Sequence, residues 1–209
     1  MNVQEATTRR LPDLKERHLP ENCRETINTI LKETYGYEQF RNLEIYDDLS
    51  KGKEKLCISQ GQLIENVILE AEKAWKSETQ VDNILLTAPT GSGKSLLFQL
   101  PAIYLGKEYN LLTIVVSPLK ALIVDQVESL QELGYARVAY ASSDLSPEQK
   151  MEVYRQVREG EIDLFYLSPE LLLSYDIKHF VGERRIGLVV VDEAHTVTTW
   201  GKEFRVDYW

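Results

Sequence analysis

Hydrophobic and polar positions change their spacing along this chain. From residue 83 onwards, short apolar runs typical of buried strands alternate with longer stretches whose apolar residues recur every three or four positions, as in helices. The runs predicted as strands cover 84–86, 112–116, 137–140, 164–167 and 188–191. Such alternation favours right-handed crossovers, and so the sequence predicts an α/β fold built on a largely parallel sheet with helices on both faces.

Local signals mark the helices of this region. Ser146-Pro147-Glu148-Gln149 combines a capping serine, a proline suited to the first helical position and a glutamine that completes a capping box. Met151, Tyr154 and Val157 are predicted to form the apolar face of the helix that follows. Pro101, in contrast, is expected to kink or shorten its own helix.

The first 82 residues lack this regular alternation. Residues 1–20 are polar and are predicted to form a loosely held arm. Amphipathic helices are predicted over 21–33, with a stop at Gly36, and over 62–75. The polar stretch 42–59 is interpreted as a surface insertion.

The run Ala88-Pro89-Thr90-Gly91-Ser92-Gly93-Lys94-Ser95, called the phosphate loop below, lies between an apolar run and a predicted helix. Gly91 and Gly93 allow a tight turn that directs several backbone N–H groups into one concavity. Lys94 adds a positive charge for the outer phosphates, and the Ser95 hydroxyl can hold Mg²⁺. The pattern predicts binding of a nucleoside triphosphate.

Two carboxylates follow the last predicted strand. Asp192 stands directly after the apolar run, where it is predicted to bind Mg²⁺ opposite Ser95. Glu193 is placed to orient or deprotonate the attacking water. Together with the phosphate loop, the acid pair predicts nucleotide hydrolysis rather than binding alone.

Composition narrows the possible partners. The 209 residues carry a net charge of −9, which argues against a broad DNA-coating surface but leaves room for a local groove. No apolar run approaches the roughly 20 residues that span a bilayer, so no membrane partner is predicted. Cys23 and Cys57 are far apart and share no metal-ligand spacing with the histidines, which predicts two reduced thiols and no cysteine–histidine metal site.

Several motifs resemble those of one family of motor proteins. The phosphate loop and Asp192-Glu193-Ala194-His195 are similar to motifs I and II of superfamily 2 helicases. Tyr35-Gly36-Tyr37-Glu38-Gln39-Phe40-Arg41 resembles the element that opens the adenine-recognition motif of the RecQ branch. In RecQ proteins Pro-Gly-Gln follows at once, whereas here the nearest match is Gln60-Gly61-Gln62. The resemblance therefore implies that 42–59 is inserted into the motif.

Other stretches resemble further RecQ motifs. Residues 95–102 match the continuation of motif I, 115–127 motif Ia and 164–172 motif Ib. Residues 200–205 resemble the aromatic-rich loop that couples DNA binding to ATP hydrolysis, although Lys202 stands where RecQ proteins usually carry histidine.

The resemblance implies ATP and Mg²⁺ as cofactors. It assigns the adenine contact to Gln62, with Tyr37 and Arg41 framing the base, and leaves Gln60 as a second candidate for that contact. His195 is implied as a catalytic residue that links the ATP site to a partner lobe.

DNA contacts are expected from two kinds of residue. Aromatic rings can stack on bases of any sequence, and an arginine can add a phosphate or cation–π contact. Residues at strand ends can offer hydroxyls and loop amides to the DNA backbone. The predicted DNA-binding residues are Ser117, Pro118, Ser168, Trp200, Phe204 and Arg205.

A domain organisation follows from the resemblance. It implies a polar arm over 1–20, helices with the adenine-recognition motif over 21–82, and a RecA-like ATP-binding lobe over 83–209 that is incomplete at its carboxyl end. It also implies a 3′–5′ DNA helicase acting on single-stranded or forked DNA with a second RecA-like lobe or a partner protein. The expected location is the cytoplasm. The protein would be associated with the nucleoid if it is bacterial, and it would be nuclear if it is eukaryotic. The 209 residues alone are expected to bind ATP–Mg²⁺ weakly and to unwind nothing.

Two other functions are compatible with the sequence. One is a DNA-stimulated ATPase or translocase subunit of a larger genome-defence or repair assembly that does not separate strands. The other is a nucleotide-gated binding module without catalysis, against which the intact Lys94, Asp192 and Glu193 argue.

Overall fold

A parallel sheet organises the second of two units in the structure. The computed structural model describes residues 17–46, 55–76, 83–86 and 91–194, and it divides the chain into the units Met1–Tyr104 and Leu105–Trp209. Among the described residues the second unit has four parallel strands in the order β4-β5-β3-β6. They are β3 (Leu112–Val116), β4 (Val138–Ala141), β5 (Leu164–Leu167) and β6 (Ile186–Val191).

Helices connect these strands, which confirms the predicted parallel α/β fold. The helices of this unit are α4 (Lys120–Glu132), α5 (Pro147–Arg158), α6 (Pro169–Ser174) and α7 (Ile177–Val181). One core cluster contains side chains from β3, β4, β5, α5 and α7, with Phe165, Leu167 and Phe180 fully buried. None of the helices that the structure describes is long and apolar enough to cross a membrane.

The start of α5 matches its sequence signals. The Ser146 hydroxyl accepts a hydrogen bond from the Gln149 amide at 3.2 Å, and the Gln149 side chain accepts one from the Ser146 amide at 2.8 Å. This confirms the predicted capping box. Tyr154 and Val157 are buried as expected, but Met151 is 72% exposed. The prediction for Met151 was wrong because the buried face of the helix begins one turn further on.

A charged cluster lies at the edge of the sheet where the strands begin. Asp163, which precedes β5, is 2% exposed and accepts hydrogen bonds from Arg137 at 2.6 and 2.8 Å, from Arg184 at 3.0 Å and from Tyr135 at 3.0 Å. Hydrogen bonding to Asp163 raises the pKa of Arg137, whereas burial lowers the pKa of Arg184. Both guanidinium groups stay charged because their ordinary pKa is so high. The aspartate therefore compensates two positive charges, one of them largely buried.

Gly106 lies directly against this cluster, and replacing it with alanine is expected to destabilise the protein. An added methyl carbon would lie 2.6 Å from Cβ of Asp163 and closer still to its Cγ. The hydrogen bonds to Asp163 prevent its side chain from moving away from the added methyl group. We expect a loss of about 1–3 kcal/mol from this overlap, more than the gain of up to about 1 kcal/mol in helix propensity. Chemical denaturation measures the change, and the exposed neighbour Lys107→Ala serves as a control. A G106A protein as stable as the wild type would contradict the packing described here.

The first unit contains two long helices and a hairpin. They are α1 (Glu21–Tyr35), β1 (Asn42–Tyr46), β2 (Lys55–Ser59) and α2 (Gln60–Trp75), followed by the start of α3 (Leu96–Tyr109). The predicted helix over 21–33 is confirmed, and it ends at Gly36, whose φ of 69° lies in the left-handed region. The helix predicted over 62–75 is also present and begins two residues earlier.

The end of the predicted arm is packed against α2. Leu19 is 2% exposed, and its amide donates to the Glu65 carboxylate at 3.0 Å. Arg17 forms an ion pair with Glu70 at 2.7 Å. Residues 17–20 are therefore held in place, in contrast to the expected loose arm, while 1–16 lie outside the described residues.

The expected surface insertion contains an antiparallel hairpin. Strands β1 and β2 pair from Asn42 opposite Ser59 to Tyr46 opposite Lys55. On one face Leu43 and Ile58 lie opposite each other and are 8% and 1% exposed. Both members of this apolar pair are therefore removed from solvent, unlike side chains of a freely exposed insertion.

Two local predictions differ from the structure. Residues 83–86 form no strand, and Ile84 and Leu85 are 50% and 81% exposed. An apolar run becomes a strand only when a neighbour takes up its backbone hydrogen bonds, and none of the described residues pairs with this one. Helix α3 continues through Pro101 to Tyr109, so the proline does not shorten it, while the expected kink stays a prediction. Its interior is apolar and buried, and that burial outweighs the cost of about 3 kcal/mol for an internal proline.

Candidate nucleotide and DNA site

The described part of the phosphate loop has the backbone geometry of an anion site. Gly91 and Gly93 both have φ of 79°, a left-handed conformation that glycine adopts without strain. The Leu97 amide donates to the Lys94 carbonyl at 3.0 Å, and the Gln99 amide donates to the Ser95 carbonyl at 2.9 Å. Helical bonding thus starts at Lys94, and the positive end of α3 lies at the loop. Residues 87–90, with the candidate Thr90, lie outside the described residues.

One hydroxyl in the loop supports its fit to phosphate. The side-chain oxygen of Ser92 is buried, and it has no hydrogen-bond partner within the described parts of the chain. A buried hydroxyl in this state costs free energy until it finds an acceptor. A phosphate oxygen would provide one, so the donors of this loop fit a nucleotide.

Gln60, at the start of α2, contacts the same loop. Its side chain is buried, and its Oε1 atom accepts a hydrogen bond from the Arg41 amide at 3.2 Å. Its Nε2 atom donates to the carbonyl oxygens of Ser92 at 3.3 Å and Gly93 at 3.5 Å. Sequence reasoning considered Gln60 only as a substitute adenine contact, because side-chain direction cannot be read from the motif.

The residues predicted to frame adenine lie together. Arg41 stands over the ring of Tyr37, with its guanidinium carbon 5.8 Å from the ring centre. Tyr37 is 48% exposed and stacks on Tyr35 at 6.4 Å with an angle of 15° between the rings. The pair therefore offers an open aromatic and cationic surface of the kind on which a base can stack.

Gln62 has a local structural role in addition to its predicted contact. Its side-chain oxygen accepts a hydrogen bond from the Ser59 amide at 3.3 Å and completes the capping box of α2. Gln62 also lines a cavity of about 190 Å³ together with Phe40 and Arg24. Its contact with adenine stays a prediction.

In the second unit, three strands deliver polar residues to one edge of the sheet. Ser117, Ser168 and Asp192 directly follow β3, β5 and β6, whose last residues are in register. The Ser117 amide donates a hydrogen bond to the Leu167 carbonyl at 3.1 Å, and the Asp192 amide donates one to the Val116 carbonyl at 2.9 Å. The carboxyl ends of parallel strands are where α/β proteins collect their ligands.

A third serine at this edge was missed from the sequence. Ser142 directly follows β4, is 3% exposed, and accepts a hydrogen bond from the Asp144 amide at 3.3 Å. Lys120, at the start of α4, pairs with Asp144 at 2.8 Å. The signal that could have found Ser142 is the one used for Ser117 and Ser168, a serine directly after a short apolar strand.

The serine hydroxyls predicted to contact DNA are buried. Ser168 is 2% exposed, and its hydroxyl accepts a hydrogen bond from the Leu171 amide at the start of α6. Ser117 is 1% exposed, and its hydroxyl has no partner among the residues that the structure describes. The adjoining Pro118 is partly exposed. Their DNA contacts stay predictions.

The acid pair ends β6 in an unusual backbone conformation. Glu193 has φ of 50°, a left-handed value that costs a residue with a side chain about 1–2 kcal/mol. Its amide donates to the Asp192 carboxylate at 2.9 Å. Strained positions of this kind are common at functional sites.

Each half of the predicted ATP site lies in its own unit. Lys94 and Ser95 belong to the first, and Asp192 and Glu193 to the second. Their shared Mg²⁺ stays a prediction, and in the described ranges no three histidine, cysteine or acidic side chains are grouped as ligands of a separate metal ion. The candidates that lie outside the described residues are Thr90, His195, Trp200, Phe204 and Arg205.

Comparison with known proteins identifies the family. Residues 69–208, more than half of the chain, match the family model described as DEAD/DEAH box helicase. The chain therefore belongs to the DEAD/DEAH box helicase family.

Its curated relatives include RecQ helicases. The chain is 30% identical over 183 residues to the ATP-dependent DNA helicase RecQ of Haemophilus influenzae. The aligned region covers 88% of this chain and 24% of that protein. It is 33% identical over 187 residues to the ATP-dependent DNA helicase RecQ of Synechocystis, and this aligned region covers 88% of this chain and 32% of that protein. The chain thus spans about a quarter to a third of these relatives. The predicted resemblance to RecQ helicases is confirmed.

Solved structures support the fold. The DUF1998 helicase MrfA bound to DNA and AMPPNP superposes with a TM-score of 0.51 at 22% identity, over 86% of this chain and 22% of MrfA. Together with the family match and the parallel sheet, this likeness establishes the RecA-like α/β fold.

Proposed function

We propose that this chain is the ATP-binding motor lobe of a RecQ-type 3′–5′ DNA helicase. The observation that carries the proposal is the phosphate loop, in which two left-handed glycines precede Lys94 and Ser95 at the start of a buried helix. Its RecQ relatives are named as ATP-dependent DNA helicases, which supports ATP as the nucleotide and DNA as the partner.

Each residue of the site has a proposed task. The amides of the phosphate loop and the Lys94 ammonium hold the phosphates, while Ser95 and Asp192 hold Mg²⁺. When bound, Mg²⁺ neutralises charge that develops on the phosphoryl group. Glu193 orients the attacking water and accepts its proton. Tyr37 and Arg41 provide the aromatic and cationic surface on which the adenine ring stacks.

DNA and a second protein surface complete the proposed motor. Residues at the carboxyl edge of the sheet, with Trp200, Phe204 and Arg205, would contact single-stranded or forked DNA. A second RecA-like lobe or a partner protein would supply the arginine on which much of the rate of phosphoryl transfer depends. The proposed location is the DNA-containing compartment of the cell.

Replacing Lys94 with alanine tests nucleotide binding. We expect the wild-type chain to bind a fluorescent ATP analogue in a Mg²⁺-dependent manner and K94A to bind it at least about tenfold more weakly, because a charged hydrogen bond to phosphate is lost. Lys107→Ala, an exposed lysine near the other end of α3, is the matched control. Equal affinity of K94A and wild type would contradict the proposal.

The hairpin favours a second candidate, a DNA-stimulated translocase subunit of a larger genome-defence or repair assembly. An ordered two-stranded element between the two parts of the adenine-recognition motif is a natural site for a partner to influence nucleotide use. The full-length protein separates the two functions. Strand separation on a forked duplex supports the helicase, whereas DNA-stimulated ATP hydrolysis without it supports the translocase.

A further inference from the structure

We propose that Gln60 is a positioning residue that orients the phosphate loop and connects it to the base of the hairpin. This inference rests on the proposed nucleotide binding. Gln60 is 3% exposed, and it stands at the point where β2 passes into α2. Nothing in the adenine-recognition pattern assigns this task to it, since RecQ proteins carry proline at the corresponding position.

The base of the hairpin fixes the orientation of the Gln60 amide. The Gln60 backbone amide donates to the Arg41 carbonyl at 2.9 Å, and the Arg41 amide donates to Gln60 Oε1 at 3.2 Å. Because the side-chain oxygen faces a donor, the side-chain nitrogen must face the other way. There it meets two acceptors, the carbonyl oxygens of Ser92 and Gly93.

These contacts determine which way the loop amides point. In a trans peptide the C=O and the following N–H point in opposite directions. Gln60 draws the carbonyls of Ser92 and Gly93 toward itself, so the N–H groups of Gly93 and Lys94 turn away from it. Successive N–H groups aligned on one side form the concavity that binds an anion. The Gln60 side chain thereby orients the N–H groups of the proposed phosphate site before a nucleotide binds.

The absence of a side chain at Gly93 permits this contact. A methyl carbon built on Gly93 would lie 2.7 Å from Gln60 Nε2, closer than two such atoms can pack. Gly93 therefore serves both the left-handed turn and the approach of the Gln60 amide. Because both polar atoms of that amide are engaged, we assign Gln60 to the loop and not to adenine.

A charged carboxylate cannot satisfy both sides of this contact as the Gln60 amide does. One side presents an N–H and the other two carbonyls, so the residue between them must accept and donate. A carboxylate in the same place could accept from Arg41 but would repel the carbonyls of the loop. When protonated, it could donate again through its O–H group. The pH dependence of nucleotide affinity is therefore a specific test.

Replacing Gln60 with glutamate is expected to weaken ATP binding by about tenfold or more at pH 8 relative to the wild-type chain, because buried acceptors lose their donor. At pH 5.5 we expect the ratio of the two dissociation constants to shrink toward one, since burial raises the pKa of a carboxyl group. The measurement is titration of a fluorescent ATP analogue with Mg²⁺ at each pH. Asn22→Asp, at an exposed asparagine of the same unit outside the nucleotide site, introduces the same charge change and should keep wild-type affinity throughout.

Gln60→Met is a second, uncharged variant that tests the inference even if the Q60E protein misfolds. Methionine is of similar length but cannot donate, so Q60M should bind about tenfold more weakly with no pH dependence beyond that of the wild type. Wild-type affinity in Q60M, or a Q60E ratio that does not change with pH, would overturn the inference. Failure of the wild-type chain to bind nucleotide would instead refute the proposed function.

Discussion

Glu193→Gln is expected to slow ATP hydrolysis by about 10²–10⁴-fold, the usual contribution of a general base, while ATP affinity stays close to that of the wild type. Glutamine has nearly the same shape as glutamate but cannot accept a proton from water. The left-handed backbone of Glu193 and its bond to Asp192 involve main-chain atoms, which the substitution keeps. The rate is measured as phosphate release by the full-length protein with saturating single-stranded DNA.

Glu183→Gln is the matched control for this experiment. Glu183 is exposed and precedes β6, so its replacement removes one negative charge from the same unit without changing the acid pair. It should hydrolyse ATP at the wild-type rate. If E193Q did the same, the base would have to be another residue. If E193Q lost ATP binding to the same extent as hydrolysis, Glu193 would act in binding and not in catalysis.

Asp163→Ala is expected to lower the free energy of unfolding by about 3–5 kcal/mol, as is usual when one partner of a buried ion pair is removed. The Arg184 side chain is 5% exposed and would be left as a buried cation without its carboxylate. Tyr135 and Arg137 would lose the same acceptor. Urea denaturation followed by circular dichroism measures the difference in stability.

Asp144→Ala provides the comparison. Asp144 also pairs with a cation, Lys120 at 2.8 Å, but both side chains are exposed and solvent screens the pair. We expect little change in stability. If D163A and D144A were equally mild, the charged cluster would not hold the edge of the sheet.

Much of the second unit could be predicted from the sequence, because its signals are local. The run 112–116 is rich in β-branched residues and becomes the fully buried strand β3. Ser146 and Gln149 specify the start of α5 through bonds between residues three apart. The parallel order of strands follows from their alternation with helices.

What could not be predicted depends on partners distant in sequence. The apolar run 84–86 looks like a strand, but strand formation requires a neighbour that the run itself does not specify. The hairpin has alternating apolar residues, Leu43 with Ile45 and Leu56 with Ile58, yet its charged residues hide that pattern. The acceptor of the Gln60 amide was also beyond prediction, since the loop carbonyls lie about thirty residues away.

The paired base of the hairpin has a consequence for chain length. Arg41 and Gln60 are joined by two hydrogen bonds, so the two parts of the adenine-recognition motif meet although eighteen residues separate them in sequence. Doubling a loop adds only about 0.6 kcal/mol of closure entropy. Homologues are therefore expected to differ in length between Tyr46 and Lys55, and a short epitope tag or fluorophore grafted there should report on the hairpin while leaving nucleotide binding intact.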